Sequence, residues 1–242
     1  MVIDSKENKK IKYLNKLRTN KFMQEEKKFI IEGEHLVNEA KKANVLLETF
    51  SVSDVNYSVP NSLVSEKVMN YISTLPSISN VIGICKFIPE DNNLGSKIII
   101  LDNVQDPGNL GTIIRSAKAF DIDTIVLSID TVKKYNEKVV RAAQGMLFKV
   151  NVVTKDLKYF IPYIKKLGYK VYGTNVVNGV DVENINNDGK IAVVMGNEGN
   201  GIGKDILKLL DENIYIKMND NCESLNVAVA TSIIMYELNK KR

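Results

Sequence analysis

The chain has 242 residues, 44% hydrophobic, 26% charged and 7% aromatic, which suits one large or two modest globular domains and excludes collagen, coiled coil and wholesale disorder. No apolar run approaches the ~18 residues of a membrane span and the first residues lack a signal-peptide core, so a soluble, cytoplasmic protein without membrane contact is expected. Residues 1 to 42 carry 11 Lys and Arg against 7 Asp and Glu, which accounts for the whole net charge of +4; such a basic head suits RNA, or is a solvated lysine face.

In chain order, apolar residues at 11, 14 and 17 predict a helix over 8–17, and Phe29 to Ile31 followed by Gly33 reads as a short strand. Helices are expected over 35–43 and 66–75, and strands over 46–52 and 81–87. Pro89 to Ser96, polar and ending in Gly95-Ser96, reads as a linker. We therefore expect a small α/β module over 1–90 and a second domain over 97–242. In the second domain, strand-like runs at 97–101, 124–127, 150–153, 170–174, 191–195 and 213–217 alternate with helical stretches at 109–120, 136–144, 156–167, 203–210 and 225–239. Short apolar strands alternating with helices argue for a parallel sheet covered on both faces. Its ligands should bind at the carboxyl ends of the strands, in the loops 102–109, 174–180, 196–203 and 218–226.

Two cysteines, Cys85 and Cys222, exclude a disulfide framework or zinc knuckle, and the single histidine, His35, excludes a Ser-His-Asp triad or multi-histidine metal site. No metal is expected. Chemistry must then come from three polar stretches. The first runs from Leu101 through Asp106-Pro107-Gly108 to Asn109, read as a helix N-cap, with Arg115 in the second turn of that helix. The second is the glycine-rich loop Gly196-Asn-Glu198-Gly-Asn-Gly201-Ile-Gly203-Lys204-Asp205. It fails the P-loop pattern, because Glu198 stands where glycine is needed and Asp205 follows the lysine, and it lacks dinucleotide-fingerprint spacing. A ligand with a cationic centre, or a neutral nucleoside approached by backbone, suits it better; the plain alternative is a tight turn with Glu198 at a helix start. The third runs from Ile216 to Ser224-Leu225-Asn226 ahead of a helix of small residues. Cys222 is read as incidental and His35 as a helix-start or RNA-facing residue.

Together, in this order, the three stretches resemble the signature motifs of the SpoU/TrmH family of RNA 2′-O-ribose methyltransferases, within the SPOUT superfamily. The resemblance covers 97–242 nearly continuously, and includes Lys138-Val-Val-Arg141-Ala-Ala-Gln-Gly145. Residues 8–17 and Phe29 to Val37 are similar to the family's ribosomal-protein-like α/β substrate-binding module.

The resemblance implies S-adenosylmethionine (S-adenosyl-L-methionine) held in a deep trefoil knot of the C-terminal domain, an exception to the rule against threaded chains. It implies cofactor contacts from Gly196, Ile216 and Leu225, with Met195, Gly201, Met218 and Thr174 nearby. It also implies a homodimer whose active site lies at the subunit interface. Arg115, Asn109, Glu198, Ser224 and Asn226 are the implied catalytic residues, and Arg115, Arg141, Lys9, Lys10 and Arg18 the implied RNA contacts. A guanidinium is always protonated, so Arg115 is read as holding phosphate and stabilising the developing alkoxide while the phosphate or Glu198 relays the proton. Large-subunit ribosomal RNA is favoured over transfer RNA as substrate. The alternatives are a transfer-RNA 2′-O-methyltransferase and a non-catalytic RNA-binding or ribosome-assembly factor.

Overall fold

The computed structural model describes every residue except 1, 76, 78, 176–178, 186–188, 220, 241 and 242. Parts of the expected ligand loops 174–180 and 218–226 thus lie outside the described residues. The chain forms two compact units, Met1–Pro89 and Glu90–Arg242.

The first unit contains α1 (Lys9–Leu17), α2 (Asn20–Glu26), β1 (Lys28–Glu32), α3 (Glu34–Lys42), β2 (Leu46–Ser51), β3 (Asn61–Leu63), α4 (Glu66–Ile72) and β4 (Val81–Lys86). Its sheet runs in the order β1-β4-β2-β3, antiparallel except for the β2–β3 pair. Ile11, Leu14 and Leu17 of α1 and Val68, Met69 and Ile72 of α4 bury against Ile30, Phe50, Ile82 and Ile84 of the sheet. The apolar spacing in α1 does this directly, since positions three apart share one helix face. Asn8 caps α1, its side chain accepting from the Lys10 N–H at 2.9 Å. The sequence pattern missed α2 and β3. Met23 is the only buried residue of α2, and β3 has three residues, so neither leaves a periodic trace.

The second unit contains β5 (Lys97–Leu101), α5 (Pro107–Ala119), β6 (Thr124–Leu127), α6 (Glu137–Ala142), β7 (Asn151–Thr154), α7 (Leu157–Lys166), β8 (Lys170–Thr174), β9 (Val180–Asp181), β10 (Ile191–Met195), α8 (Lys204–Leu207), β11 (Glu212–Tyr215) and α9 (Val227–Lys240). Among the described residues, seven strands form one sheet in the order β7-β6-β5-β10-β8-β11-β9, and every pairing between them is parallel. Alternation along the strands sends Ile98, Ile100, Ala192 and Val194 to one face, where they pack with α7 and with Ile202 and Ile206. The helices α6 and α9 both pack on α5. Gly111 allows the close approach of α5 to α6, for a Cβ there would lie 2.3 Å from the Ala142 Cβ and 2.9 Å from the Val139 carbonyl oxygen.

From β5 the chain moves outward to β6 and β7; from β10 it moves the other way, to β11. The neighbours β5 and β10 therefore mark the switch point of the sheet, where loops diverge and leave a crevice at the strands' carboxyl ends. The first two polar motifs leave the sheet at this point.

Candidate active site at the meeting of three loops

The loop after β5 reaches α5 through Asp106 and Pro107. Pro107 stands at the first helical position, where its missing N–H costs nothing, and the Asp106 carboxylate accepts from the Asn109 N–H at 2.8 Å. The N-cap is therefore Asp106 and not Asn109 as expected. Asn109 lies inside the first turn with its side chain free for another role, and the earlier helix start puts Arg115 in the third turn instead of the second.

After β10, the glycine loop folds back on itself through paired backbone hydrogen bonds between Asn197 and Gly201, at 2.9 and 3.0 Å. Gly196 is required there, because a Cβ would lie 2.2 Å from the Gly201 carbonyl carbon and 2.3 Å from the Ile202 nitrogen. The Asn197 side chain holds the loop from both sides. Its Nδ2 donates to the Asn103 carbonyl at 2.8 Å, and its Oδ1 accepts from the Gly199 and Asn200 N–H groups at 2.9 and 3.1 Å. The Asp102 carboxylate accepts from Gly203 N–H at 2.8 Å, tying the end of the loop to the exit of β5. Glu198 is not at a helix start: α8 begins at Lys204 and spans four residues, shorter than the expected 203–210.

The third loop ends at Asn226, whose Oδ1 accepts from the Ala228 and Val229 N–H groups at 2.9 and 3.3 Å and so caps α9. That commitment fixes the amide orientation, leaving Nδ2 to donate to Asn109 Oδ1 at 3.0 Å. Asn109 Nδ2 in turn donates to Glu198 Oε1 at 3.0 Å. One hydrogen-bonded chain thus joins all three motifs. Burial raises the Glu198 pKa, but hydrogen bonds from the Asn109 amide and from backbone N–H groups, its own and those of Gln105 and Asp106, outweigh this and hold it below the usual carboxylate range. These N–H groups lie at the amino end of α5, where the helix dipole favours an anion. Glu198 is therefore a weaker base than a free carboxylate.

Beside this bridge, at the ends of β8, β10 and β11, opens a cleft of about 670 Å³, within the usual size of a cofactor pocket. Met195, Gly196, Gly201, Ile216, Met218, Leu225 and Thr174, the residues expected around the cofactor, all line it. Glu198, Ser224 and Asn226 line it too. The lining is mainly apolar side chains and glycine-loop backbone, together with the exposed acids Glu198 and Glu223, a set that fits a nucleoside carrying a cationic sulfonium. Sequence reasoning did not single out Asn175, Asn197, Tyr215 or Glu223. Only Asn197 left a signal: an asparagine among glycines is prone to bond its own backbone two residues on.

Other expected residues lie elsewhere. Arg115 is exposed on α5, about 9 Å along the axis from Asn109, and is not among the cleft-lining residues. Arg141 is half-buried on α6. In the first unit Lys9 is exposed, whereas Lys10 pairs with Glu48 and donates to Ser62 Oγ at 2.8 Å, and Arg18 donates to the Ile72 carbonyl at the end of α4. The last two thus have structural work besides any RNA contact.

Residues 96–236 match the SpoU rRNA Methylase family, and residues 8–83 match the MRM3-like substrate binding domain. The chain belongs to the SpoU rRNA Methylase family. It is 36% identical over 243 residues to the 23S rRNA (guanosine(2553)-2′-O)-methyltransferase RlmP of Bacillus subtilis, with 98% of each chain covered. The AdoMet-bound rRNA methyltransferase from Sinorhizobium meliloti superposes with a TM-score of 0.90 at 26% identity, covering 99% of this chain and 97% of that one. The SpoU methyltransferase AviRb of Streptomyces viridochromogenes, in complex with AdoMet, shares the fold with a TM-score of 0.87 at 18% identity, covering 97% and 98%. This SpoU family member is an RNA methyltransferase that uses S-adenosylmethionine. Among the described residues, no helix is long and apolar enough to cross a membrane.

Proposed function

We propose that this SpoU family chain transfers a methyl group from S-adenosylmethionine to a ribose 2′-hydroxyl of large-subunit ribosomal RNA, in the cytoplasm and as a homodimer. The observation that carries this reading is the Glu198–Asn109–Asn226 bridge standing against the cleft. It fixes all three motif loops around one ligand space. Full-length similarity to a 23S ribosomal RNA 2′-O-methyltransferase supports the choice of substrate.

The cofactor, when bound, supplies a methyl on a sulfonium sulfur that an oxygen nucleophile displaces in line. Met195, Ile216, Met218 and Leu225 hold the nucleoside, and Glu198 and Glu223 supply negative charge toward its cationic centre. Ser224, exposed in the cleft, is placed to orient the ribose hydroxyl. Pinned loops matter because in-line displacement tolerates little misalignment. Arg115 does not line the cleft of its own chain, and we assign its role to the site of a second copy. The α9 flank supports that arrangement: Val229 and Tyr236 are exposed on a helix that is apolar nearly all round, next to α5. Ser116 and Ser232 hydroxyls bond at 2.8 Å and Phe120 meets Tyr236 edge-on, so α5 and α9 form one continuous face. Across it, an Arg115 guanidinium reaches the other subunit's substrate, grips a phosphate with its planar fork and stabilises the developing alkoxide. We place the proton acceptor at the RNA phosphate and not at Glu198. The family's trefoil knot is part of the same reading.

The test is mass-spectrometric mapping of ribose methylation in ribosomal RNA from cells with and without the gene, with transfer by the purified chain from labelled cofactor. A single lost 2′-O-methyl in large-subunit RNA, restored in vitro, is expected. Loss in transfer RNA alone would overturn the substrate assignment. Light scattering should give twice the monomer mass, and Val229→Lys with Tyr236→Lys should halve it.

A further inference from the structure

Residues 90–96 have the polar composition of a linker, yet the segment is fastened to the body of the second unit along its length. The Glu90 carboxylate pairs with Lys134 Nζ at 2.9 Å, and the Lys134 side chain, only 12% exposed, also donates to the Val152 carbonyl of β7. Asp91 and Asn151 bond each other twice: the Asp91 N–H donates to Asn151 Oδ1 at 3.1 Å, and Asn151 Nδ2 donates to the Asp91 carbonyl at 3.0 Å. Leu94 sits in the core that α7 covers, and its carbonyl accepts from Thr124 Oγ1 at 2.9 Å. The Tyr169 hydroxyl donates to the Gly95 carbonyl, and the Asp123 carboxylate accepts from the Ser96 N–H at 2.7 Å.

The order of these contacts gives the segment a direction. Lys155, 3.8 Å from Glu90, follows the carboxyl end of β7, whereas Asn151 opens that strand and Asp123 and Ser96 stand just before β6 and β5. The chain therefore enters the second unit near the strands' carboxyl ends, the side on which the cleft opens, and runs down the outer edge of β7 before turning into β5. Entering β5 directly would put the attachment at the opposite ends of the strands. In the first unit, the Phe87 N–H still donates to the Lys27 carbonyl at 2.8 Å, and the Phe87 ring meets Phe29. Only Ile88 and Pro89 separate Phe87 from Glu90, a tether of at most about 7 Å in which the proline fixes one dihedral angle.

We infer that residues 90–96 form a strap that fixes the attachment of the first unit to the cleft side of the second, and that Glu90, Lys134 and Asn151 are positioning residues for RNA delivery. This rests on the RNA methylation reading above, with the first unit matching a substrate binding domain. Two linked modules act on one ligand with an effective concentration set by the tether, and that concentration falls roughly as the −3/2 power of tether length. A two-residue tether on a fixed anchor keeps it high. A loose strap dilutes it.

The test measures methyl transfer by the full-length protein to ribosomal and to transfer RNA, scored separately, as RNA concentration varies. Glu90→Ala with Asn151→Ala frees residues 90–92 and lengthens the tether from two residues to five. It should raise KM for RNA about fourfold and leave kcat and S-adenosylmethionine affinity unchanged. About seven Gly and Ser residues inserted between Pro89 and Glu90 disturb no strap contact and should raise KM about tenfold. Wild-type KM in either variant overturns the strap, and so does a fall in kcat or cofactor affinity in the alanine pair, which marks a merely structural role. Hydrogen exchange on the wild-type protein tests the anchor without RNA: the Asp91 and Ser96 amides should be protected, and exchange at the free-chain rate overturns the strap. Methyl found in transfer RNA alone overturns the substrate assignment above, and the strap is then judged by the KM for that RNA.

Discussion

The side-chain amide of Asn226 donates to the side-chain oxygen of Asn109 at 3.0 Å, across 117 residues of sequence. Each of these groups is already committed on its other side. Asn226 caps α9 through Oδ1, and Asn109 passes its own N–H on to Glu198. The bridge therefore has one direction, from the amino end of α9 to a carboxylate at the amino end of α5. It makes three loops a single positioned unit.

Breaking the bridge should cost rate more than fold. Asn109→Ala should lower single-turnover methyl transfer by about 10²-fold, the scale of a 1 Å misplacement of reacting groups. Asn226→Ala should do the same and also lower stability by about 1 kcal/mol through the lost cap. The double variant should be little slower than either single one, because both remove one unit. Additive losses would show that the two asparagines act separately.

Gly196→Ala should separate the glycine loop from the rest of the molecule. The added methyl meets backbone atoms of Gly201 and Ile202, which cannot rotate away as a side chain tip would, so the loop must open. Isothermal titration should show S-adenosylmethionine affinity falling by about tenfold or more, with a melting temperature close to wild type, since surface loops carry little of the core.

The pH behaviour follows from the lowered Glu198 pKa. A carboxylate whose folded pKa is depressed contributes stability that is present above its unfolded value and lost as pH falls through the folded one. The stability gap between wild type and Glu198→Gln should thus be constant from about pH 8 to about pH 5 and shrink only in stronger acid. Any rise of the rate with pH near neutrality belongs to another group, and its midpoint should survive in Glu198→Gln. A midpoint that vanishes with the glutamate would return the base role to Glu198.

Arg115 is tested by kinetics and by mixing subunits. Arg115→Ala should keep cofactor affinity within a few fold and lose about 10²- to 10³-fold in transfer rate, and Arg115→Lys should recover only part of it. If Arg115 serves the opposite subunit, a heterodimer of Arg115→Ala with Gly196→Ala should keep one intact site and show transfer well above either homodimer. Activity no higher than the homodimers would place Arg115 in its own subunit's site.

The sequence by itself determined the alternation of strand and helix, because fully buried parallel strands such as Ile98 to Leu101 and Ile191 to Met195 must be continuous apolar runs between polar loops. It also carried the three motifs, whose residue order survives any packing. Tertiary structure alone decided that β10 lies between β5 and β8, which brings Glu198 to Asn109 across 89 residues and Asp102 to Gly203 across 101. Helix caps stand between these levels. Asp106, Pro107 and Asn109 all suit a helix start, and only the packed helix showed the carboxylate of Asp106 on the backbone and Asn109 turned to Glu198. The physical reason is the range of the forces involved. Backbone propensity and apolar period act within a few residues and can be read along the chain, whereas a hydrogen bond between distant loops exists only after the sheet order has brought them together.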